Sequence, residues 1–191
     1  MQNSRLLVVF FLMCLGAICS CSKYKDTKAV ADPRLTNPYC NDPNAVNYNW
    51  GFPGKPDSTV CFYPTDVFKG VYIFNDSVFL QQLGIFVRAD TFLLTIRKHS
   101  NTKFSIIGFC SSGDSLSLTA GLNFTATLDT TMGDSTTMMA GQALCSFGDT
   151  VNGILTKDIL NDSLLYINLL VSSDTGVITT HVGTARLKSK N

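Results

Sequence analysis

The sequence contains no glutamate; all 14 of its acidic residues are aspartate. Glutamate is a favoured helix residue, while the abundant Ser, Thr, Val, Ile, Leu and Phe suit pleated strands, so the composition argues against a helical chain and for an all-β one. An excess of charge of either sign is also missing. The 15 basic residues leave a formal net charge of +1 and form no basic block, so no nucleic acid is expected as a partner. Nor is there an apolar run of the roughly 20 residues that a helix needs to cross a bilayer. Close CxxC-type cysteine pairs are absent, which argues against zinc. Only two histidines are present, too few for a metal site without further ligands nearby. No cofactor is expected.

What is present begins at the amino terminus. Arg5 precedes a short apolar run over 6–19 that ends in small residues. A charged start, a brief apolar middle and a small-residue end describe a secretory signal peptide. The run closes on Ile18, Cys19 and Ser20 ahead of Cys21. This end resembles the bacterial lipoprotein signal, with an aliphatic residue three before a modified cysteine and a small residue just before it. Cys19 and Cys14 fit that pattern less well, because bulky Ile18 and Met13 precede them. The resemblance implies lipid attachment at Cys21 through its nucleophilic sulfur, cleavage before it, and location at the outer membrane. Two or more acyl chains would hold the protein stably on the membrane. An ordinary signal peptide cut near Ser20 is the alternative.

Loss of the signal peptide removes Cys14 and Cys19, and lipid consumes Cys21. Four of the seven cysteines then remain: Cys40, Cys61, Cys110 and Cys145. An even number in an exported chain suggests disulfides, with three connectivities open. Pairing Cys40 with Cys61 and Cys110 with Cys145 keeps each bond within one segment and is favoured here.

The chain divides into a signal peptide (1–20), a flexible tether (21–39), a two-cysteine module (40–64) and an antiparallel β domain (65–191). The tether alternates charged and small residues around Pro33 and has no apolar period. In the module, Cys40-Asn41-Asp42-Pro43-Asn44-Ala45-Val46-Asn47-Tyr48-Asn49 leads to Cys61-Phe62-Tyr63-Pro64. These residues resemble a short C-x-D-P-x-A-x-N-Y module of bacterial surface proteins and lipoproteins. There a disulfide stands in for a core too small to exist. Asp42, Asn44, Asn47, Asn49 and Asp57 are oxygen donors of the kind calcium takes; capping turns is the expected role. Trp50, the only tryptophan, is expected to cover the disulfide, with an exposed stacking platform as the alternative.

Beyond residue 65 the pattern is of short strands between turns. Strands are expected over 67–75, 92–97 and 104–109, around Leu116 and Leu118, around Phe124, Ala126 and Leu128, then over 141–147, 151–157, 164–172 and 177–187. Residues 80–88 fit either a strand or a helical turn and a strand. Some eight strands at this spacing predict an antiparallel meander closed as a barrel or packed as a sandwich. Gly70-Val71-Tyr72, Phe92-Leu93-Leu94-Thr95-Ile96 and Asn161-Asp162-Ser163-Leu164-Leu165-Tyr166-Ile167 resemble the small lipocalin-like β domain of outer-membrane lipoproteins. Such domains mostly lack an assigned activity.

Gly113-Asp114-Ser115-Leu116 spells the nucleophile block of the GDSL esterases, but that chemistry needs an Asp three before the C-terminal His, and Ile178 stands there before His181. Gly133-Asp134-Ser135, Gly148-Asp149-Thr150, Asn75-Asp76-Ser77 and Asn161-Asp162-Ser163 repeat the same type of tripeptide, which reads as turn chemistry. His99 is expected in solvent. His181 is expected at the surface, with a place inside a barrel as the alternative. Phe74, Phe92, Phe104, Phe124 and Tyr166 are expected to fill the core, or else to line a ligand mouth. The leading expectation is a non-enzymatic binding or scaffolding domain, whose partner is a small apolar ligand or an envelope protein. A hydrolase with an Asp/Ser/His site, or a structural spacer, are the alternatives.

Overall fold

A computed structural model describes residues 30–110, 113–129 and 142–190. The stretch read as a signal peptide, Cys21 and Gly133-Asp134-Ser135 lie outside those residues. Eight strands pair antiparallel and close on themselves: β3 (Gly70–Leu80), β4 (Ile85–Lys98), β5 (Lys103–Ile107), β6 (Ser115–Ala120), β7 (Thr125–Leu128), β9 (Ser146–Lys157), β10 (Leu164–Ser172) and β11 (Ile178–Ser189). Each pairs with the next, and β11 returns to β3. The expected meander is therefore a closed up-and-down barrel.

Period-two alternation turns one face of every strand inward. Gly70, Tyr72, Phe74, Asp76 and Val78 of β3 are buried, as are Leu165, Ile167, Leu169 and Val171 of β10. Phe104, Ile106, Leu116, Leu118 and Leu155 complete the packed interior.

A short strand, β8 (Gln142–Leu144), pairs with β9 further along the same edge that β7 occupies. β7 and β8 thus make one interrupted wall strand. The buried Gln142 amide spans the interruption. Its Oε1 accepts from Ser117 N at 2.7 Å, and its Nε2 donates to Ser117 O at 2.5 Å and Asp129 O at 2.8 Å. A side chain here satisfies backbone groups that a neighbouring strand would otherwise satisfy. Beside it, Asp129 accepts from Lys103 Nζ at 2.7 Å and from the hydroxyls of Ser117 and Thr119.

The two barrel ends differ. At one end the helical turn Pro64–Phe68 folds across the opening, where residue 67 was expected to start a strand. Pro64 favours the first helical position, and the Asp66 carboxylate accepts from Tyr63 N. Thr65 Oγ1 donates to Ser100 O at 2.7 Å. Phe68, fully buried, stacks on Phe104 with centroids 5.2 Å apart. Beneath it, Tyr72 Oη donates to Phe68 O at 2.9 Å and accepts from Lys157 Nζ at 3.3 Å. Lys157 is buried and lies 3.6 Å from the exposed Asp162. Burial pushes its ammonium below the usual lysine range, against the pull of Asp162.

The two-cysteine module joins this sealed end. Cys40 and Cys61 are bonded, and Cys110 and Cys145 likewise, as favoured from the sequence. Within the stretch read as tether, Pro33–Thr36 forms a 3-10 turn, and β1 (Pro38–Tyr39) pairs in parallel with β2 (Lys55–Pro56). Asp42, Asn47 and Asp57 cap local backbone: Asp42 accepts from Asn44 N, Asn47 bridges Val60 O and Phe62 N, and Asp57 accepts from Thr59 N. Trp50 does not become core; it is 66% exposed. It borders a groove of about 500 Å³ between module and barrel, with Phe62, Val67 and Phe124.

Several boundaries shift for local reasons. Residues 80–88 hold the tip of the β3–β4 hairpin, turned at Gly84 with φ +64°. Phe124 has φ +61° and sits in the β6–β7 turn. Asn75-Asp76-Ser77 and Gly148-Asp149-Thr150 lie within β3 and β9 and are not turns. Asn161-Asp162-Ser163 is a turn, as expected.

Candidate functional site at the barrel mouth

The opposite end stays open. It is rimmed by the β3–β4 hairpin, the β5–β6 and β10–β11 connections, and the β8–β9 turn. The Cys110–Cys145 disulfide ties the second of these to the last. Between them lies a cavity of about 640 Å³, within the size range of small-molecule sites.

Its floor is aromatic. Phe74, Phe92 and Phe109 form a triangle of edge-to-face rings, with centroids 5.4, 5.6 and 6.0 Å apart. Phe74 is fully buried, whereas Phe92 and Phe109 border the cavity with Leu144 and Val171. Gly108, at φ +127°, lets the β5 end pass close to β4, because a Cβ there would meet Leu93 O at 2.1 Å. Of the other aromatics proposed for a mouth, Phe104 belongs to the sealed end and Tyr166 is 46% exposed on the outer wall.

Polar groups stand above this floor. Asp76 is 3% exposed, and His181 faces inward from the adjacent β11. This corrects the surface position expected for His181. Its side chain follows the inward phase of Ala185 rather than the outward phase of Val182. His181 Nδ1 donates to Asp76 Oδ2 at 2.6 Å. On the other side of the ring, Thr179 Oγ1 lies 3.4 Å from Nε2. The bare Gly183 opposite Asp76 lets β11 and β3 approach closely; a Cβ there would meet Asn75 O at 1.8 Å. Asp76 Oδ1 is buried and accepts no hydrogen bond, the single such side-chain atom among the described residues. At the rim, Arg88 Nε donates to Asp90 Oδ2 at 2.6 Å, and Asp149 completes the lining.

Asp76 and Asp149 were misread because Asn-Asp-Ser and Gly-Asp-Thr look like turns. The signal that places Asp76 was present: it falls two residues after Phe74 and four after Tyr72, in step with the inward face of β3. Ser115 opens β6, which does not pair with β11, and it does not line the cavity that holds His181. His99, exposed as expected, lies at the sealed end with Nε2 2.8 Å from Ser105 Oγ.

No family model matches the chain, and no curated protein matches it. Among solved structures, the chain is similar to one described as EF1p2_mFAP2b bound to DFHBI, with 14% identity and a TM-score of 0.43, over 65% of this chain and 97% of that one. It is also similar to a structural-genomics protein of unknown function from Bacteroides ovatus, with 13% identity and a TM-score of 0.37. That match covers 82% of this chain and about half, 53%, of the other.

Proposed function

We propose that this chain is an exported bacterial lipoprotein, anchored to the outer membrane through acylated Cys21, whose barrel captures a small ligand in its mouth without converting it. The observation that carries the reading is the asymmetry of the barrel. One end is plugged by Phe68 and the other opens onto an aromatic floor with an unsatisfied buried carboxylate oxygen. A barrel needed only as a spacer has no use for an empty end. The amino-terminal module joins the plugged end, so the proposed lipid tether attaches on the side opposite the mouth.

Two measurements test the two halves of this reading. Cys21→Ser should move the protein from the membrane fraction to the soluble fraction and remove the acyl mass from its amino terminus; an unchanged mass sinks the anchor. The neutral probe N-phenyl-1-naphthylamine should brighten when mixed with the protein. Asp149→Trp, which fills the rim, should abolish that signal; a signal that survives places the binding elsewhere.

One observation favours a hydrolytic reading. Thr179, His181 and Asp76 stand in the order hydroxyl, imidazole, carboxylate. The 3.4 Å separation of Thr179 Oγ1 from Nε2 is long for a proton-transfer pair, and a Thr179→Ala variant should leave any turnover of p-nitrophenyl acetate unchanged.

A further inference from the structure

We infer that the mouth selects a small organic cation: an amine or amidine joined to a flat apolar body. The inference rests on the ligand-binding reading above and assigns the chemistry of its ligand.

The charge balance of the lining comes first. Three carboxylates, Asp76, Asp90 and Asp149, face one arginine, Arg88, held by Asp90 at 2.6 Å, and one histidine, His181, held by Asp76, so that even a protonated imidazole leaves a carboxylate over. The cavity thus presents carboxylates in excess, within low-dielectric walls that strengthen their field. An anionic guest meets repulsion there, and a neutral one leaves the excess unanswered.

The second observation is independent of that count. Asp76 is almost wholly buried, and its Oδ1 has no donor. A carboxylate accepts at both oxygens, along about four lone-pair directions, and His181 supplies a single N–H to Oδ2. Leaving a buried polar atom unpaired is unfavourable, and native structures seldom do so without a reason. A guest bearing N–H groups and positive charge supplies the missing donor as a charge-assisted hydrogen bond, the stronger kind. A metal ion answers the geometry less well, because among the described residues no three His, Cys or Asp side chains converge as ligands.

The apolar half of the guest follows from the floor. The faces and edges of Phe92 and Phe109 accept a planar group, and a cation next to aromatic rings gains further from their quadrupoles. Acidic groups above and rings below fix the orientation, with the ammonium at Asp76 and the ring on the floor.

Three matched probes test this on the full chain by calorimetric titration: 2-phenylethylamine, 2-phenylethanol and 3-phenylpropionate. The amine should bind at least about tenfold more tightly than the alcohol, and the acid should bind weakest. Asp76→Asn, nearly isosteric, should cut the preference for amine over alcohol to less than about threefold, chiefly by weakening the amine. Should Asp76→Asn fail to fold, as judged by far-UV circular dichroism, the rim variant Asp90→Asn/Asp149→Asn should still weaken the amine about threefold or more. Equal binding of amine and alcohol, or a preference that survives both sets of substitutions, overturns the cation assignment and leaves the mouth a ligand site. If none of the three binds while N-phenyl-1-naphthylamine still does, the cation assignment alone falls; if that probe fails too, the ligand-binding reading falls with it.

Discussion

The two ends of the barrel set the same problem and solve it differently. Each places an ionisable side chain inside an apolar wall. At the sealed end Lys157 donates to Tyr72, Tyr72 donates to the Phe68 carbonyl, and Asp162 supplies a counter-charge from the surface. Every polar group in that chain has a partner inside the protein. At the mouth Asp76 has His181 on one oxygen and nothing on the other. A buried polar group that is fully paired supports a fold, whereas one left half-paired awaits something from outside. The contrast separates the end that holds the barrel together from the end proposed to bind.

If the sealed end is structural, damage there should cost the most stability and leave ligand selection alone. Phe68→Ala removes a fully buried ring from the plug and should cost about 3–5 kcal/mol, read as a lowered urea midpoint, with the amine-over-alcohol preference retained in the folded fraction. A lost preference would merge the two ends into one functional unit.

Replacing both cysteines of the mouth disulfide, Cys110→Ala/Cys145→Ala, should cost about 3–4 kcal/mol on the loop-entropy account. The bond spans a sequence separation of 35 residues, against 21 for Cys40–Cys61. The mouth is therefore costly to loosen although it is open. Equal midpoints for reduced and oxidised protein would remove this point of the comparison.

Gln142→Ala deletes the amide that bridges the interrupted wall and should cost about 1–3 kcal/mol, because the Ser117 backbone groups lose their partner. Amide hydrogen exchange at Ser117 should accelerate with it.

Lys157→Met sharpens the reading of the sealed end through pH. Burial holds the Lys157 pKa below its unfolded value. Between those two values the unfolded chain binds the extra proton, so wild-type stability rises with pH through that window, and the burden of a buried charge is full below it. The methionine variant should lose this rise and match or exceed wild-type stability near neutrality. Parallel urea midpoints across pH 7 to about 10 in the two proteins would contradict a desolvated lysine. The carboxylates contribute a slope of the same sign, but in the acid range. Burial pushes Asp66 up, but Lys98 and the Tyr63 N–H outweigh it and hold it below the ordinary range. Its share of stability is present above its unfolded value and is lost as the pH falls through the folded one.

Asp76→Asn should have the smallest effect on stability, within about 1 kcal/mol of wild type by urea midpoint. It removes a charge that the fold only half satisfies. A loss as large as that of Phe68→Ala would return Asp76 to the class of structural residues.

The architecture was readable because a barrel wall writes itself as alternation. Tyr72, Phe74 and Val78 on β3, or Leu165, Ile167 and Leu169 on β10, announce a strand with one face inside. The disulfides were readable because four cysteines fell into two segments. The site was harder. Asp76 obeys the same inward phase as Phe74, yet its neighbours Asn75 and Ser77 have the composition of a turn, and local composition outweighed phase. His181 sits two strands from Phe92 in the barrel and 89 positions away in the chain, so only closure brings them to one mouth. Trp50 was hard to place for another reason. A tryptophan in a module with almost no interior has nowhere to be buried, and it stays at the surface beside the groove.

The splice made by Gln142 gives this wall a seam. One glutamine carries the hydrogen bonding between the ends of β7 and β8, linking Ser117 to Asp129. The two parts of this wall are therefore registered separately, each by its own pairing with β9, and a slip in one need not be passed to the other.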